Sequence, residues 1–499
     1  MKTNSYNLFR TKNNFYLYIP NIAQFFLIHP LMFYLLKQYK EDIDVEKWIK
    51  SINKNSIRIE NYGIFSKKDI KYQYDKMLFF ISNLFDKIED LKLGKYTGKD
   101  IEKYIANSRG ITFEVTENCN LSCDYCIYGK YYINKQTATE KVLSFEIAKN
   151  MINYFVPIWE SSLNSSFDNK ITIGFYGGEA LLNFNLIKKI IDYVKTLSVY
   201  SKNRIEFSMT TNGVLLDKYI SFLVNNNFFL KISLDGGTEK ENSFRKYHNG
   251  KIAFKTIYSN VLKIKEKYPL FFEKNVNFIS VLHCNNSESK VTEFFSNTFN
   301  KKVLAASLSK DGLNPNFEAE FWKMFMSPSA NDDNKISKQN NVNLDFFDIA
   351  KFIRFYCNYV KHSYLNLLIS NKKGEYCLPT GTCEPFKRMI FVTSDGKILP
   401  CERIGHQFAL GNISVDDINI DFNNIADKYN NYYNTIFAKC KKCLFKLACG
   451  QCMFQTDNFD CQGFMEDSTE NYTEFFAYYF SAMENNPQLY LKTTNYILI

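Results

Sequence analysis

The 499-residue sequence has no apolar segment long enough to cross a bilayer. Its most apolar early run, residues 22–36, is broken by His29 and Pro30 and falls short of the roughly 20 residues that a spanning helix needs. The chain opens MKTNSYNLFR, without the apolar core or the cleavage-site pattern of a secretory signal. No membrane partner is expected, and a cytoplasmic location is. The signature of disorder is missing too, since 45% of residues are hydrophobic and 17% aromatic. Nor is there a concentrated basic stripe. The net charge of +10 comes from scattered lysines in a chain also rich in Asn, Ile, Phe and Tyr, so nucleic acid is not the expected partner. An acidic peptide remains compatible with that charge.

What the chain does hold is cysteine, thirteen in all. Under reducing conditions disulfides are disfavoured, so clustered thiols point to metal or catalysis. The stretch that organises the rest is ITFEVTENCNLSCDYCIYGK, residues 111–130. Ile111, Phe113 and Val115 alternate with polar residues and predict a strand. The strand runs into a loop carrying Cys119, Cys123 and Cys126, spaced C-x3-C-x2-C. Thiolates are the soft ligands of iron–sulfur clusters, and three of them leave one iron of a four-iron cubane open. An open coordination position is what a reactive metal centre has and a structural one lacks. A zinc knuckle, or three buried thiols, is the alternative.

With the aromatic Tyr125 before its last cysteine, the triplet resembles the signature of radical S-adenosylmethionine (SAM) enzymes. In that family the open iron is chelated by the amino and carboxylate groups of SAM. One electron then cleaves SAM to methionine and a 5′-deoxyadenosyl radical, which takes hydrogen from substrate.

Strands and helices alternate from residue 111 to about 310. Strands are predicted at 111–117, 171–176, 205–210, 229–234, 276–282 and 303–308, and helices near 143–156, 185–197, 215–226, 252–267 and 287–298. Such βα units make an α/β fold with a parallel sheet, and the resemblance implies a partial (β/α)6, TIM-like barrel whose chemistry gathers at the strands' carboxyl ends. The second strand ends in Gly177-Gly178-Glu179, similar to the family's GGE motif, which implies a role for these residues at the amino group of SAM. The third ends Thr211-Asn212-Gly213, similar to TNG, although a helix cap reads equally well. The fourth ends Ser233-Leu234-Asp235-Gly236, with Arg245 beyond it. The resemblance assigns Ser233 to the ribose or carboxylate of SAM and Arg245 to its carboxylate, which guanidinium pairs in bidentate fashion. Relatives often carry His-Asp before that Arg where this chain has Glu241-Asn242. The fifth strand's end, Val281-Leu282, is the expected place for adenine.

A second cysteine field holds Cys377, Cys383, Cys401, Cys440, Cys443, Cys449, Cys452 and Cys461. It resembles the SPASM extension of radical SAM peptide maturases, which carries two auxiliary [4Fe–4S] clusters. The family's interleaved pattern implies Cys377, Cys383, Cys401 and Cys452 for one cluster and Cys440, Cys443, Cys449 and Cys461 for the other. Two residues separate Cys449 from Cys452 where three are usual. A zinc ribbon is the rival, because C-x2-C is also zinc spacing. Cys284 and Cys357 are left unassigned.

Before the barrel, Tyr6–Arg10 and Asn14–Pro20 read as strands, followed by helices at Pro30–Tyr39, near Val45–Asn53 and at Ile70–Leu91. This resembles the winged-helix-like recognition element of enzymes that modify ribosomally made peptides, which holds a leader segment as an added strand. A plain structural domain is the alternative. The expected domains are 1–92 (recognition-element-like), 105–310 (barrel), 311–370 (lid or linker with a bridging helix at Asp345–Ile369), 371–465 (SPASM) and 466–499 (a helical tail packing that region onto the barrel).

The whole resembles a radical SAM maturase of a precursor peptide. It implies SAM, its [4Fe–4S] cluster, two auxiliary clusters and an electron donor such as flavodoxin or ferredoxin. Thioether cross-linking is the first expectation. The alternatives are a carbon–carbon cross-link, epimerisation, or formylglycine formation of the anaerobic sulfatase-maturing kind. From another class stands a non-catalytic iron–sulfur or zinc protein that binds a peptide. The catalytic base is not assigned.

Overall fold

The computed structural model describes residues 6–19, 24–41, 43–82, 96–108, 110–133, 140–165, 170–202, 204–309, 312–325, 344, 349, 352–353, 382–442, 452–455 and 471–489. In chain order the elements begin β1 (Asn7–Arg10), β2 (Phe15–Ile19), β3 (Gln24–Ile28), α1 (Pro30–Lys40), α2 (Val45–Ser51), β4 (Ser56–Ile59), β5 (Gly63–Ser66) and α3 (Lys67–Phe80). Next come α4 (Gly98–Ala106), β6 (Gly110–Thr116), α5 (Phe145–Trp159), β7 (Ile171–Gly177), α6 (Phe184–Val194), α7 (Ser198–Ser201), β8 (Ile205–Thr211), α8 (Leu216–Asn225) and β9 (Phe229–Ser233). They are followed by α9 (Phe254–Lys267), α10 (Pro269–Asn275), β10 (Val276–Leu282), α11 (Glu288–Phe299), β11 (Val303–Ser307) and α12 (Glu318–Met324). The last are β12 (Ile390–Val392), β13 (Lys397–Leu399), β14 (Gly411–Ile413), β15 (Ile418–Asn419), α13 (Phe422–Lys442) and α14 (Asn471–Asn485).

The chain divides into two units. One comprises Met1–Lys95, Asn331–Thr382 and Asn430–Ile499, the other Tyr96–Ala330 and Cys383–Tyr429.

In the first unit β1, β2 and β3 form an antiparallel sheet in that order, and β4 pairs with β5 in a hairpin. The period of two sorts the strands' side chains between the sheet's two faces. Tyr6, Leu17 and Ile19 pack with Leu31, Leu35 and Leu36 of α1 and with Ile70 and Met77 of α3. Phe9, Tyr16, Tyr18 and Phe25 pack instead with Phe476, Phe480 and Met483 of α14, joined by Phe352 and Ile353. Helix α3 starts where Ser66 and Asp69 close a reciprocal cap, each backbone N–H reaching the other's side chain at 3.1 Å. The expected role of the C-terminal helix needs correcting here. Its aromatic stripe is core, as expected of that spacing, but the core it completes belongs to the N-terminal sheet. Phe480 lies 5.0 Å from Phe9 and 4.6 Å from Tyr16, ring to ring.

In the second unit β6 to β11 lie side by side in chain order, all parallel, with βα crossovers between them. This is the expected α/β, partial (β/α)6 architecture, and each expected strand stands within a residue or so of its place. The strands read as near-continuous apolar runs because helices cover them. In α6, for example, Leu186, Ile187, Ile190, Ile191 and Val194 form the buried stripe. The sheet does not stop at β6. Strand β12 pairs parallel to its outer side, Ile390 opposite Ile111, and β13, β14 and β15 follow antiparallel. The first part of the second cysteine field thus continues the barrel's own sheet. After β11, residues 312–325 fold back on the thiol loop: Asn314 N–H donates to Tyr131 O at 2.8 Å, and Lys130 pairs with Glu320 at 2.6 Å. The expected helix at 345–369 falls almost wholly outside the described residues.

Candidate active site

The thiol loop leaves β6 at its carboxyl end, and the loops after β7, β8, β9 and β10 gather round it. Cys119, Cys123 and Cys126 are all partly accessible, and none is in a disulfide. Cys126 N–H bonds to Cys123 O at 3.0 Å and Gly129 N–H to Cys126 O at 2.8 Å, so tight turns set the spacing of the thiols. Two N–H donors point at Cys119 Sγ, from Leu121 at 3.4 Å and the Asn212 amide at 3.7 Å. Such donors favour the thiolate. Burial works against it and pushes the Cys119 and Cys123 thiols up to about 11. Among the described residues no three thiol, imidazole or carboxylate groups converge as the ligands of one ion would. A four-iron cluster is wider than one ion and does not need that convergence. The donor set suits such a cluster: soft, uncommitted sulfurs with N–H groups aimed at one of them.

The glycines of the second motif lie against the backbone entering the thiol loop. Gly177 has φ +142°, and a Cβ on Gly178 would meet the carbonyl oxygens of both Asn118 and Glu117 at 2.4 Å. They admit the backbone that leads into the thiol loop, and that loop is tied down there. Gly178 N–H donates to Thr116 O at 2.9 Å and Glu179 N–H to Asn118 O at 2.8 Å. The Glu179 side chain is 1% exposed. It accepts from Leu181 N–H at 3.1 Å, the Thr211 hydroxyl at 2.7 Å and Asn212 N–H at 2.7 Å. A carboxylate offers about four lone-pair sites, so one is left for a cation. Burial raises the Glu179 pKa, and its hydrogen bonds hold it back. The Thr211-Asn212 pair therefore grips the glutamate, and Asn212 continues to Asn120 at 2.7 Å.

Asp235 is the hub of the other side and is wholly buried. Arg245 pairs with it through two bonds, Nε to Oδ2 at 2.9 Å and Nη2 to Oδ1 at 3.1 Å. Val281 N–H donates to Oδ1 at 2.9 Å, and the Tyr125 hydroxyl donates to Oδ2. Asn242 accepts from Asp235 N–H at 2.9 Å, while Asn286 donates to Asp235 O at 2.9 Å. The guanidinium lies over the Tyr125 ring at 5.5 Å. One edge of Arg245 is thus spent on Asp235. Tyr125 braces this pair. Ser233 stands at the end of β9 opposite Ile279 of β10. His283, fully buried, lies 4.0 Å from Asp235, and burial lowers its pKa.

Several of these residues escape sequence reasoning. Asp235 was visible only as part of a motif, and Asn242 only as a departure from one. Glu114 carries no signal beyond being a carboxylate in an apolar strand. It is fully buried, accepts from the Tyr128 hydroxyl and from Ser394 N–H at 3.0 Å, and so links the thiol loop to the β12–β13 turn. Ser394 also donates to Glu117 at 2.9 Å.

Of the second field, Cys383 and Cys401 lie in the barrel unit and Cys440 and Cys452 in the other. Cys377, Cys443, Cys449, Cys461 and also Cys357 lie outside the described residues. Burial and the neighbouring Glu402 push the Cys401 thiol up to about 12, and Arg403 N–H reaches its sulfur at 3.3 Å. Among the described residues no helix is long and apolar enough to cross a membrane.

Residues 113–295 match the Radical SAM superfamily. The chain is 26% identical over 386 residues to the cysteine-type anaerobic sulfatase-maturating enzyme of Clostridium perfringens, covering 74% of this chain and 95% of that enzyme. It is 25% identical to the radical SAM cyclopropyl synthase TigE of Paramaledivibacter caminithermalis, over 56% of this chain and 59% of that one. A shorter segment is 38% identical to an uncharacterised protein of Methanocaldococcus jannaschii, spanning 28% of this chain and less than half, 43%, of that protein. In fold the chain is similar to anSMEcpe solved with AdoMet and the Kp18Cys peptide, with a TM-score of 0.50, 22% identity, and 77% of this chain and 99% of that chain covered.

Proposed function

We propose that this radical SAM enzyme is a maturase acting on a ribosomally made precursor peptide, with a thioether cross-link as the product. Cys119, Cys123 and Cys126 hold three irons of a [4Fe–4S] cluster. When bound, the cluster and SAM supply a carbon-centred radical that takes a hydrogen atom from the substrate. The free lone pair of Glu179 receives the ammonium of SAM, with Gly177 and Gly178 fixing the approach. Arg245 receives its carboxylate, held in place by Asp235 and Tyr125, with Ser233 beside them. The eight cysteines of the second field would hold two auxiliary clusters, which would offer a redox site for the surplus electron. A flavodoxin or ferredoxin supplies the first one.

The observation that carries the peptide reading is the N-terminal sheet. Among the described residues β3 pairs only with β2, so its other edge is open. Beside it stand Leu27 of β3, 53% exposed, and Phe79 of α3, 60% exposed. Phe26 and Phe80 touch edge to face at 5.3 Å, placing α3 against β3. An extended leader adds to such an edge through its main chain and seats side chains on the apolar flank. The relatives named as sulfatase-maturating enzymes favour radical chemistry on a protein, and formylglycine formation is the second reading.

Anaerobic incubation with SAM, dithionite and a leader-bearing precursor, followed by mass spectrometry, tests this. Loss of two hydrogens with 5′-deoxyadenosine formed is expected, and Leu27→Lys with Phe79→Lys lowers turnover of the leader-bearing peptide about tenfold or more. Turnover that ignores both changes removes the leader reading. Deleting residues 1–92 is a poorer test, because it strips α14 of its core partners.

A further inference from the structure

At Glu241-Asn242 the chain departs from the His-Asp that its resemblance leads one to expect. Asn242 is wholly buried. Its Oδ1 accepts from Asp235 N–H at 2.9 Å, and its Nδ2 donates to Gly236 O at 3.0 Å and to Thr238 O at 2.8 Å. Two carbonyls and one N–H around it fix which end of the amide points where. The main chain continues the pattern. Arg245 N–H donates to Asn242 O at 2.9 Å, and Asn242 N–H donates to Thr238 O at 3.2 Å. Both members of the buried ion pair therefore hang by their backbone from Asn242, Asp235 from its side chain and Arg245 from its carbonyl.

The segment between Asp235 and Arg245 is made of bends and turns, so no helix or strand ladder sets the distance between them. It passes through Gly236 at φ +149°. Side-chain bonds hold it instead. Glu241 serves its outer part, accepting from Gly237 N–H and from the Thr238 hydroxyl, each at 2.9 Å. Asn242 serves the inner part. Alanine there would strand two carbonyls and an N–H in a dry place. An ionised carboxylate would keep the acceptor and turn its other oxygen on two carbonyl oxygens, with no donor to give.

We propose that Asn242 is a positioning residue for SAM that acts through Arg245, its amide setting where the guanidinium stands. The inference rests on the assignment of Arg245 to the SAM carboxylate and extends it to a buried residue behind that clamp. It also gives the departure from His-Asp a meaning, because this turn needs two donors that a carboxylate lacks. Guanidinium pairs carboxylate in a planar, directional geometry, so a displaced Arg245 binds SAM less well.

The test is equilibrium dialysis of radiolabelled SAM against the full chain, reconstituted anaerobically with iron and sulfide, without reductant or peptide. Iron content and circular dichroism are matched to the parent. Asn242→Ala and Asn242→Asp are each expected to weaken SAM binding about tenfold. In dithionite-driven formation of 5′-deoxyadenosine, KM for SAM rises while kcat at saturating SAM stays within about twofold, a split that general loss of order does not give. Glu241→Ala, which loosens the same turn from outside, costs less than about threefold. Should the alanine variant fail to load iron, Asn242→Asp, of the same shape, carries the test. Parental SAM affinity in iron-loaded Asn242→Asp overturns the proposal. So does an equal loss in Glu241→Ala, which would put the effect on the turn as a whole. Arg245→Lys separates this inference from the reading beneath it. If that variant binds SAM as the parent does, the clamp reading falls and takes the inference with it. If it binds weakly while the Asn242 variants do not, the inference alone falls.

Discussion

Asp235 and Arg245 form a buried ion pair, and such a pair is more informative about geometry than about stability. Taking both charges out of water costs about what their attraction returns, but removing one partner leaves the other stranded. Here the carboxylate accepts from Arg245, Val281 and Tyr125 together, so one side chain aligns the ends of β9 and β10 with the residue before Cys126. We predict that Asp235→Asn destabilises the protein by about 3–5 kcal/mol, measured by denaturant unfolding under anaerobic conditions. Adding Arg245→Met to it should recover a substantial part, because the uncompensated guanidinium goes. A double variant no more stable than the single one would mean that the pair is not the source of the loss.

Between elements, the contact that matters is where the end of β7 meets the chain leaving β6. Gly178 sits against two carbonyl oxygens there, and backbone cannot yield as a flexible side chain does. Gly178→Ala is expected to cost about 1–3 kcal/mol as an overpacking change. It should also displace the thiol loop. The measurement is electron paramagnetic resonance of the reduced cluster, where the spectral change on adding SAM should be lost in the variant and present in the parent. A variant that keeps the SAM-dependent change would show that the close approach does not position the site. The β6–β12 pairing works at the same scale. Glu114 joins Tyr128 to Ser394, so the thiol loop and the β12–β13 turn share one buried acceptor.

For the molecule as a whole, two compact units are woven from separated parts of one chain. The first cannot complete its core from residues 6–82 alone, because Phe9, Tyr16 and Phe25 face α14. Phe480→Ala is predicted to cost about 3–5 kcal/mol, as large core truncations do. It should raise proteolytic cleavage within residues 7–28, read by mass spectrometry of limited digests. Unchanged protection would mean that the sheet stands without its helix. The same weaving explains why the C-terminal helix could not be placed in advance. Its stripe announces a buried face, but a stripe does not say what it is buried against.

The linear chain by itself determined whatever has a short period or a short spacing. The alternation of Ile111, Phe113 and Val115, the C-x3-C-x2-C loop and the order of the βα units are set by neighbours a few residues apart, and they stand where the pattern placed them. Tertiary structure decided what depends on partners far away in sequence. It turned Gly177 and Gly178 to the thiol loop, gave one edge of Arg245 to Asp235, and set Glu114 against Ser394, 280 residues on. Local periodicity carries no record of such pairs. They form only when folding brings a buried charge and the groups that satisfy it into the same dry space, where an unpaired group would be too costly to keep.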